Sequence, residues 1–234
     1  MKLYVIPTET RCNASCGFCI TRFRNLKGKE FLELDDLEKI LESLDLTKIE
    51  ITGGGEPLLN RDIKDIINSC HKKAFTQLYT NGGLVERTDL GNLDVLCISR
   101  AHYDCSRNNE IMGIDYDLEA IKQKGIPIKF SLLLHGSGIN TAEDVERYLA
   151  WAKQEGAFKV VVRQMMPYDY AGELSGEFVG AEKVFRDLGI KDFQRVEEGA
   201  NFDYEGMAAS IKYSPCDCNE QLFLHANGSL GKIE

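Results

Sequence analysis

Two hydrophobic periods alternate along this chain. Short apolar runs rich in β-branched residues recur at LYVIP (3–7), KIEIT (48–52), FTQLYT (75–80), DVLCISR (94–100), IPIKFSLLLH (126–135) and KVVVRQMMP (159–167). Each is bounded by polar or glycine punctuation and reads as a strand. Between them the spacing changes to that of helices. Leu34, Leu37, Ile40, Leu41 and Leu44 mark a helix over 32–44, with Asp35 and Asp36 in its first turn, where the helix dipole favours acid. Ile63, Ile66, Ile67 and Cys70 mark a second over 61–73. A third over 115–124 stops at Gly125, and a fourth opens on a Thr141–Asp144 capping box and closes at Gly156. Residues 8–30 lack apolar periodicity and read as a long loop.

Strands separated by helices imply parallel βαβ units, because parallel neighbours need a crossover. The strand runs are apolar throughout rather than alternating, as expected where helices cover a sheet. In such folds ligands bind at the C-terminal ends of the strands. The unusual residues fall there. A cysteine loop follows the first strand, Gly53–Pro57 the second, Thr80-Asn81-Gly82 the third, Ser99 to Asp104 the fourth, and His135-Gly136 the fifth. From about residue 168 the pattern loosens into a glycine- and acid-rich C-terminal extension over 168–234, expected to lie over the mouth of the 1–167 core.

Composition narrows the classes. The chain has 234 residues, a net charge of −9 and 43% hydrophobic residues, an ordinary globular make-up. No apolar run reaches the roughly 18 residues of a membrane span, and no signal-peptide pattern opens the chain, so the expectation is a cytoplasmic protein without a membrane partner. The acidic total argues against nucleic acid as a partner. Residues 1–31 depart from that total, with six basic residues against two acidic ones. That excess reads either as a solvated loop or as a local anion site.

Three of the eight cysteines, Cys12, Cys16 and Cys19, form a C-x3-C-x2-C cluster, and Cys216 and Cys218 a second group. Clustered cysteines without a secretory context favour metal or iron–sulfur ligation over disulfides. Structural zinc wants four protein ligands, whereas three thiolates leave a position open. Thr52-Gly53-Gly54-Gly55-Glu56-Pro57 combines a backbone able to approach a ligand closely with a carboxylate able to take an ammonium group. It is not a phosphate loop, since no Gly-Lys-Ser/Thr follows. Cys70 and Cys97 read as small core hydrophobes. His135, at a strand end, is the one histidine placed to touch a substrate, and Arg163 is expected to face the interior.

The cysteine motif, with Phe18 just before its last cysteine, and Gly-Gly-Glu-Pro after the second strand together resemble the radical S-adenosylmethionine enzymes. The resemblance covers residues 3–167 and implies an α/β fold, a TIM-barrel-like partial (β/α)6 barrel with a short C-terminal extension. It implies an oxygen-sensitive [4Fe–4S] cluster held by Cys12, Cys16 and Cys19, with S-adenosylmethionine (SAM) on the fourth iron. Gly54, Gly55 and Glu56 would meet the cofactor's amino group, Thr80 and Ser99 its carboxylate or ribose, and Met166 its adenine. The cluster would need a one-electron reductant such as flavodoxin or ferredoxin. The segment Cys216 to Leu230 resembles the C-terminal cluster segment of the molybdenum-cofactor GTP cyclase family, which implies a second, auxiliary iron–sulfur cluster. The last cysteine of that pattern is missing here, where the chain reads Gly231-Lys-Ile-Glu. Cys105, after the fourth strand, is a candidate hydrogen-atom donor. The compact chain favours a small, nucleotide-like substrate. Two alternatives stand beside it: the same chemistry on a peptide, and a non-enzymatic iron–sulfur or zinc protein.

Overall fold

The computed structural model describes residues 1–19, 21, 30–165, 176–196, 199–213 and 222–231. Six strands run parallel and in sequence order: β1 (Lys2–Val5), β2 (Lys48–Ile51), β3 (Phe75–Thr80), β4 (Val95–Ser99), β5 (Ile128–Leu134) and β6 (Lys159–Gln164). They are the six expected strands: β3 keeps its expected bounds, β1 starts one residue earlier and ends sooner, and the other four are shorter than expected. The sheet is open rather than closed, consistent with a partial barrel.

Helices α1 (Leu34–Ser43), α2 (Ile63–Lys73) and α5 (Ala142–Gln154) occupy the crossovers. Each buries one stripe, such as Ile63, Ile66, Ile67 and Cys70 of α2, against the outward residues of the strands. Along β4 the outward residues are Leu96 and Ile98, and along β5 they are Phe130, Leu132 and Leu134. The capping box of α5 forms as expected, with the Asp144 amide donating to Thr141 Oγ1 at 3.1 Å.

The crossover after β4 departs from expectation. The helix foreseen over 115–124 shrinks to α4 (Leu118–Lys122), and a new helix, α3 (Cys105–Met112), precedes it. Asp104 caps α3 by accepting the Arg107 amide, and Gly113 ends it in the left-handed conformation at φ 64°. The C-terminal extension also departs from expectation. It carries α6 (Ala181–Asp187), β7 (Phe193–Val196), β8 (Gly199–Tyr204), β9 (Met207–Lys212), β10 (Leu222–Leu224) and β11 (Leu230–Gly231). β9 joins β6 in parallel and β10 joins β1 in parallel, so the extension lengthens the sheet at both edges. The full order is β11-β10-β1-β2-β3-β4-β5-β6-β9-β8-β7. Among the described residues no helix is long and apolar enough to cross a membrane.

Candidate functional site

The cysteine loop, the glycine loop and the ends of β3 to β6 bound one cavity of about 420 Å³. Cys12, Cys16, Phe18 and Cys19 form one wall, and Thr52 to Pro57 a second. Tyr79, Thr80, Asn81, Ser99, Ser131, Leu133 and Arg163 supply the strand side. Side chains from β3 through β6 reach the same space, so this face of the sheet is concave. Nine of the expected residues therefore meet here: the three cysteines with Gly54, Gly55, Glu56 and Thr80, and Ser99 and Arg163 from the strands.

The cysteine loop is held from below by α3. The Ser15 amide donates to the Met112 carbonyl at 2.8 Å, and the Cys16 thiol lies 3.8 Å from the same oxygen. A side chain at Gly113 would strike Ser15, so this left-handed glycine is also a contact surface for the loop. Donors reach the sulfurs: the Ala14 amide stands 3.4 Å and Asn81 Nδ2 3.6 Å from Cys12 Sγ. Thr21 Oγ1 stands 3.1 Å from Cys19 Sγ. Burial pushes the Cys12 thiol up, and the Ala14 and Asn81 contacts oppose it.

The glycine loop does something the sequence reading did not anticipate. What comes closest to its glycines is the chain itself. The Gly55 amide donates to the Thr8 carbonyl at 3.1 Å and the Glu56 amide to the Arg11 carbonyl at 2.8 Å. A Cβ on Gly55 would stand 2.6 Å from the Arg11 carbonyl carbon, and one on Gly54 3.0 Å from that of Glu9. Real Cβ contacts are not that short. The glycines let two loops interlock backbone to backbone, which fixes the thiols relative to Glu56.

Glu56 is buried, and three protein donors reach its carboxylate. Leu58 N and Thr80 Oγ1 meet Oε1 at 3.1 and 2.7 Å, and Asn81 N meets Oε2 at 2.9 Å. Burial raises its pKa against those bonds. A carboxylate has about four acceptor sites. The three donors therefore leave about one acceptor site of Glu56 unused.

Asn81 is the functional residue that sequence reasoning missed. The sequence placed it at the end of the third strand, in Thr80-Asn81-Gly82, but gave it no role of its own. Its amide group binds Cys12 Sγ and Asn13 Oδ1 through Nδ2, its Oδ1 accepts the Gly83 amide at 3.0 Å, and its backbone holds Glu56. The Gly83 bond fixes which end of the side chain faces the sulfur.

Three expected residues lie elsewhere. Cys105 opens α3, exposed, with its sulfur 3.2 Å from an Arg100 nitrogen, and does not line the cavity. His135 is buried behind the wall, its ring 4.7 Å from that of Phe18 and its pKa lowered by burial. Cys97 is buried but faces the concave side rather than the helix-covered core that takes Cys70. Met166, Cys216 and Cys218 lie outside the described residues.

Three thiols suit a cluster that keeps an open position better than a structural zinc, which wants four protein ligands. Thiolates sharing one tetrahedral zinc stand roughly 3.8 Å apart, from a metal–sulfur distance near 2.3 Å. Among the described residues no three Cys, His, Asp or Glu side chains converge in that way. The three thiols line one cavity.

Comparison with known proteins agrees with this geometry. The model of the Radical SAM superfamily matches residues 6–166. A probable GTP 3′,8-cyclase of Pyrococcus horikoshii is 30% identical over 246 residues, covering 98% of this chain and 73% of that protein. A GTP 3′,8-cyclase of Mycobacterium marinum is 26% identical over 184 residues, covering 70% of this chain and 50% of its own. The chain thus spans about half the length of several curated relatives it matches. Among solved structures, Streptococcus suis SuiB bound to S-adenosylmethionine superposes with a TM-score of 0.70 at 14% identity, over 98% of this chain and 59% of that one. Native anSMEcpe with bound AdoMet gives 0.68 at 16% identity, over 99% and 74%. At these identities the structures speak to the fold.

Proposed function

Because this chain belongs to the Radical SAM superfamily, near its GTP 3′,8-cyclase branch, we propose that it is an enzyme using a [4Fe–4S] cluster and SAM on a small, nucleotide-like substrate. The observation that carries the reading is the single cavity shared by Cys12, Cys16, Cys19 and the Gly54-Gly55-Glu56 loop. When bound, the cluster would supply the electron for reductive cleavage of SAM, the chemistry that activates a substrate C–H bond.

The chain's own residues do the rest. Cys12, Cys16 and Cys19 would hold the cluster. The fourth acceptor site of Glu56, with the glycine-loop backbone, receives the amino group of SAM. Thr80 already serves Glu56 and Gly82 with its hydroxyl, so its part is to orient that carboxylate. Ser99 and Ser131 offer hydroxyls from the strand side, and Met166 is assigned to adenine by resemblance alone. Phe18, Leu133 and Met112 give the cavity apolar surface, which shields a reactive carbon radical from water. Flavodoxin or ferredoxin would supply the electron, and Cys216 and Cys218 would hold part of an auxiliary cluster. The similarity to GTP 3′,8-cyclases supports a nucleotide.

The test is anaerobic reconstitution with iron and sulfide, then dithionite and SAM. The expected result is 5′-deoxyadenosine and methionine in equal amounts, lost in Cys16→Ala. Iron-loaded, reducible protein that releases neither would refute the reading.

A further inference from the structure

No side chain from residue 11 to residue 19 is buried. The stretch that carries the three thiols therefore has no core anchor of its own, and such a segment opens at low free energy unless its neighbours hold it. Phe18 is its one large apolar side chain. What Phe18 meets is His135, at the end of β5, with the two rings 4.7 Å apart. His135 is 1% exposed, and among the described residues neither ring nitrogen is hydrogen-bonded. Nε2 is buried without a partner, and Nδ1 stands 3.9 Å from Glu177 Oε2, beyond hydrogen-bond reach. Packing, not hydrogen bonding, fixes the ring. Gly138 lies so close to it that a Cβ there would stand 2.4 Å from Nε2.

The loop that carries His135 is held from the C-terminal extension. Glu177 accepts the Ser137 amide at 2.5 Å and the Ser137 hydroxyl at 2.7 Å through one carboxylate oxygen. Its carbonyl accepts the Gly136 amide at 2.8 Å. The two Ser137 bonds hold the Glu177 carboxyl below the usual carboxylate range. Bonds to a charged acceptor are stronger than those between neutral groups. A second contact runs sideways, where Arg107 of α3 donates to the Ser137 carbonyl at 2.9 Å. Helix α3 in turn accepts the Ser15 amide through Met112. The 135–138 loop thus bears on the thiol stretch at Ser15 and at Phe18, and Glu177 bears on that loop.

We propose that His135 and Glu177 are positioning residues of the thiol site. Glu177 seats the 135–138 loop, His135 anchors Phe18, and the C-terminal extension is thereby part of what keeps Cys16 and Cys19 in place. The proposal rests on the reading above for the purpose of those thiols. Its test needs neither cluster nor SAM.

Alkylation of the full chain with iodoacetamide before reconstitution, resolved cysteine by cysteine by mass spectrometry, follows each thiol separately. The variants are His135→Ala and Glu177→Ala, with the conservative partners His135→Phe and Glu177→Gln. Ile67→Val, in the buried stripe of α2, is a variant destabilised elsewhere, and the buried Cys97 reports global opening. Both alanine variants should speed alkylation of Cys16 and Cys19 about threefold to tenfold and leave Cys97 unchanged. His135→Phe and Glu177→Gln should stay within about twofold of wild type. His135→Phe should also melt no lower than wild type, because it removes a buried, unpartnered nitrogen. A rise that Cys97 shares, as in Ile67→Val, would mean a loss of global stability only, and the proposal falls. Cys16 and Cys19 unchanged in the alanine variants, or His135→Phe as fast as His135→Ala, overturn it too. A chain that passes these tests yet cleaves no SAM would keep the positioning and lose the radical reading.

Discussion

Replacing Gly55 by alanine tests the interlock between the two loops. The added methyl would stand 2.6 Å from the carbonyl carbon of Arg11 and 2.8 Å from its nitrogen. These are backbone atoms, so no side-chain rotation relieves the clash. Overpacking of this kind costs about 1–3 kcal/mol. Separating the strands of chain also strains two hydrogen bonds, Gly55 N to Thr8 O and Glu56 N to Arg11 O, each worth about 1 kcal/mol. The expected loss is therefore about 3–5 kcal/mol, a large part of the roughly 5–15 kcal/mol that stabilises a typical domain. Gly17 lies in the same cysteine loop with nothing within 4 Å of its added Cβ. Gly17→Ala should stay within about 0.5 kcal/mol of wild type. Urea unfolding of the metal-free proteins, followed by circular dichroism, measures both. The reasoning fails if Gly55→Ala unfolds at the same midpoint as Gly17→Ala.

Other perturbations reach separate parts of the structure. Asn81→Ala removes an N–H donor from the Cys12 sulfur, which stabilises added negative charge. The reconstituted cluster should titrate at a more negative potential with its iron content unchanged, and an unshifted potential would remove Asn81 from that role. Tyr148→Phe leaves the buried carbonyl of Arg100 without its 3.1 Å donor, at about 1–3 kcal/mol, seen as a fall in melting temperature of several degrees. Glu50 is pushed up by burial, but Lys2 and Lys48 outweigh that and hold it below the ordinary value of 4.5. A carboxyl lowered on folding stabilises above its unfolded pKa, and that contribution disappears as pH falls through the folded value. Glu50→Gln should thus be less stable than wild type at pH 7, with the gap closing below about pH 4. A gap that persists in acid would contradict the ion pairing.

Much of this arrangement was readable before the structure. The six parallel strands follow from continuous apolar runs, and the site follows from where polar residues interrupt them. Three parts were hidden, for different reasons. Helix α3 has the polar sequence CSRNNEIM with no apolar stripe, and it exists through the Asp104 cap, the Gly113 stop and its contact with the cysteine loop. The C-terminal strands are short, and β9 and β10 gain their order from the edges of the sheet they join. The inward face was hidden because strands buried on both sides show no clean alternation. Cys97 is buried as expected, on the inward side of β4. Gly54 and Gly55 were read as making room for a ligand, and the close approach the structure shows there is that of the loop holding Cys12.

The central claim is that three thiols leave one iron for a ligand seated by the neighbouring glycine loop. Electron paramagnetic resonance of the dithionite-reduced, reconstituted protein, with and without SAM, addresses it most directly. The account predicts a reduced-cluster signal whose g-values shift on adding SAM, and no such signal from the N-terminal site in Cys12→Ala. A spectrum that SAM leaves unchanged would contradict it.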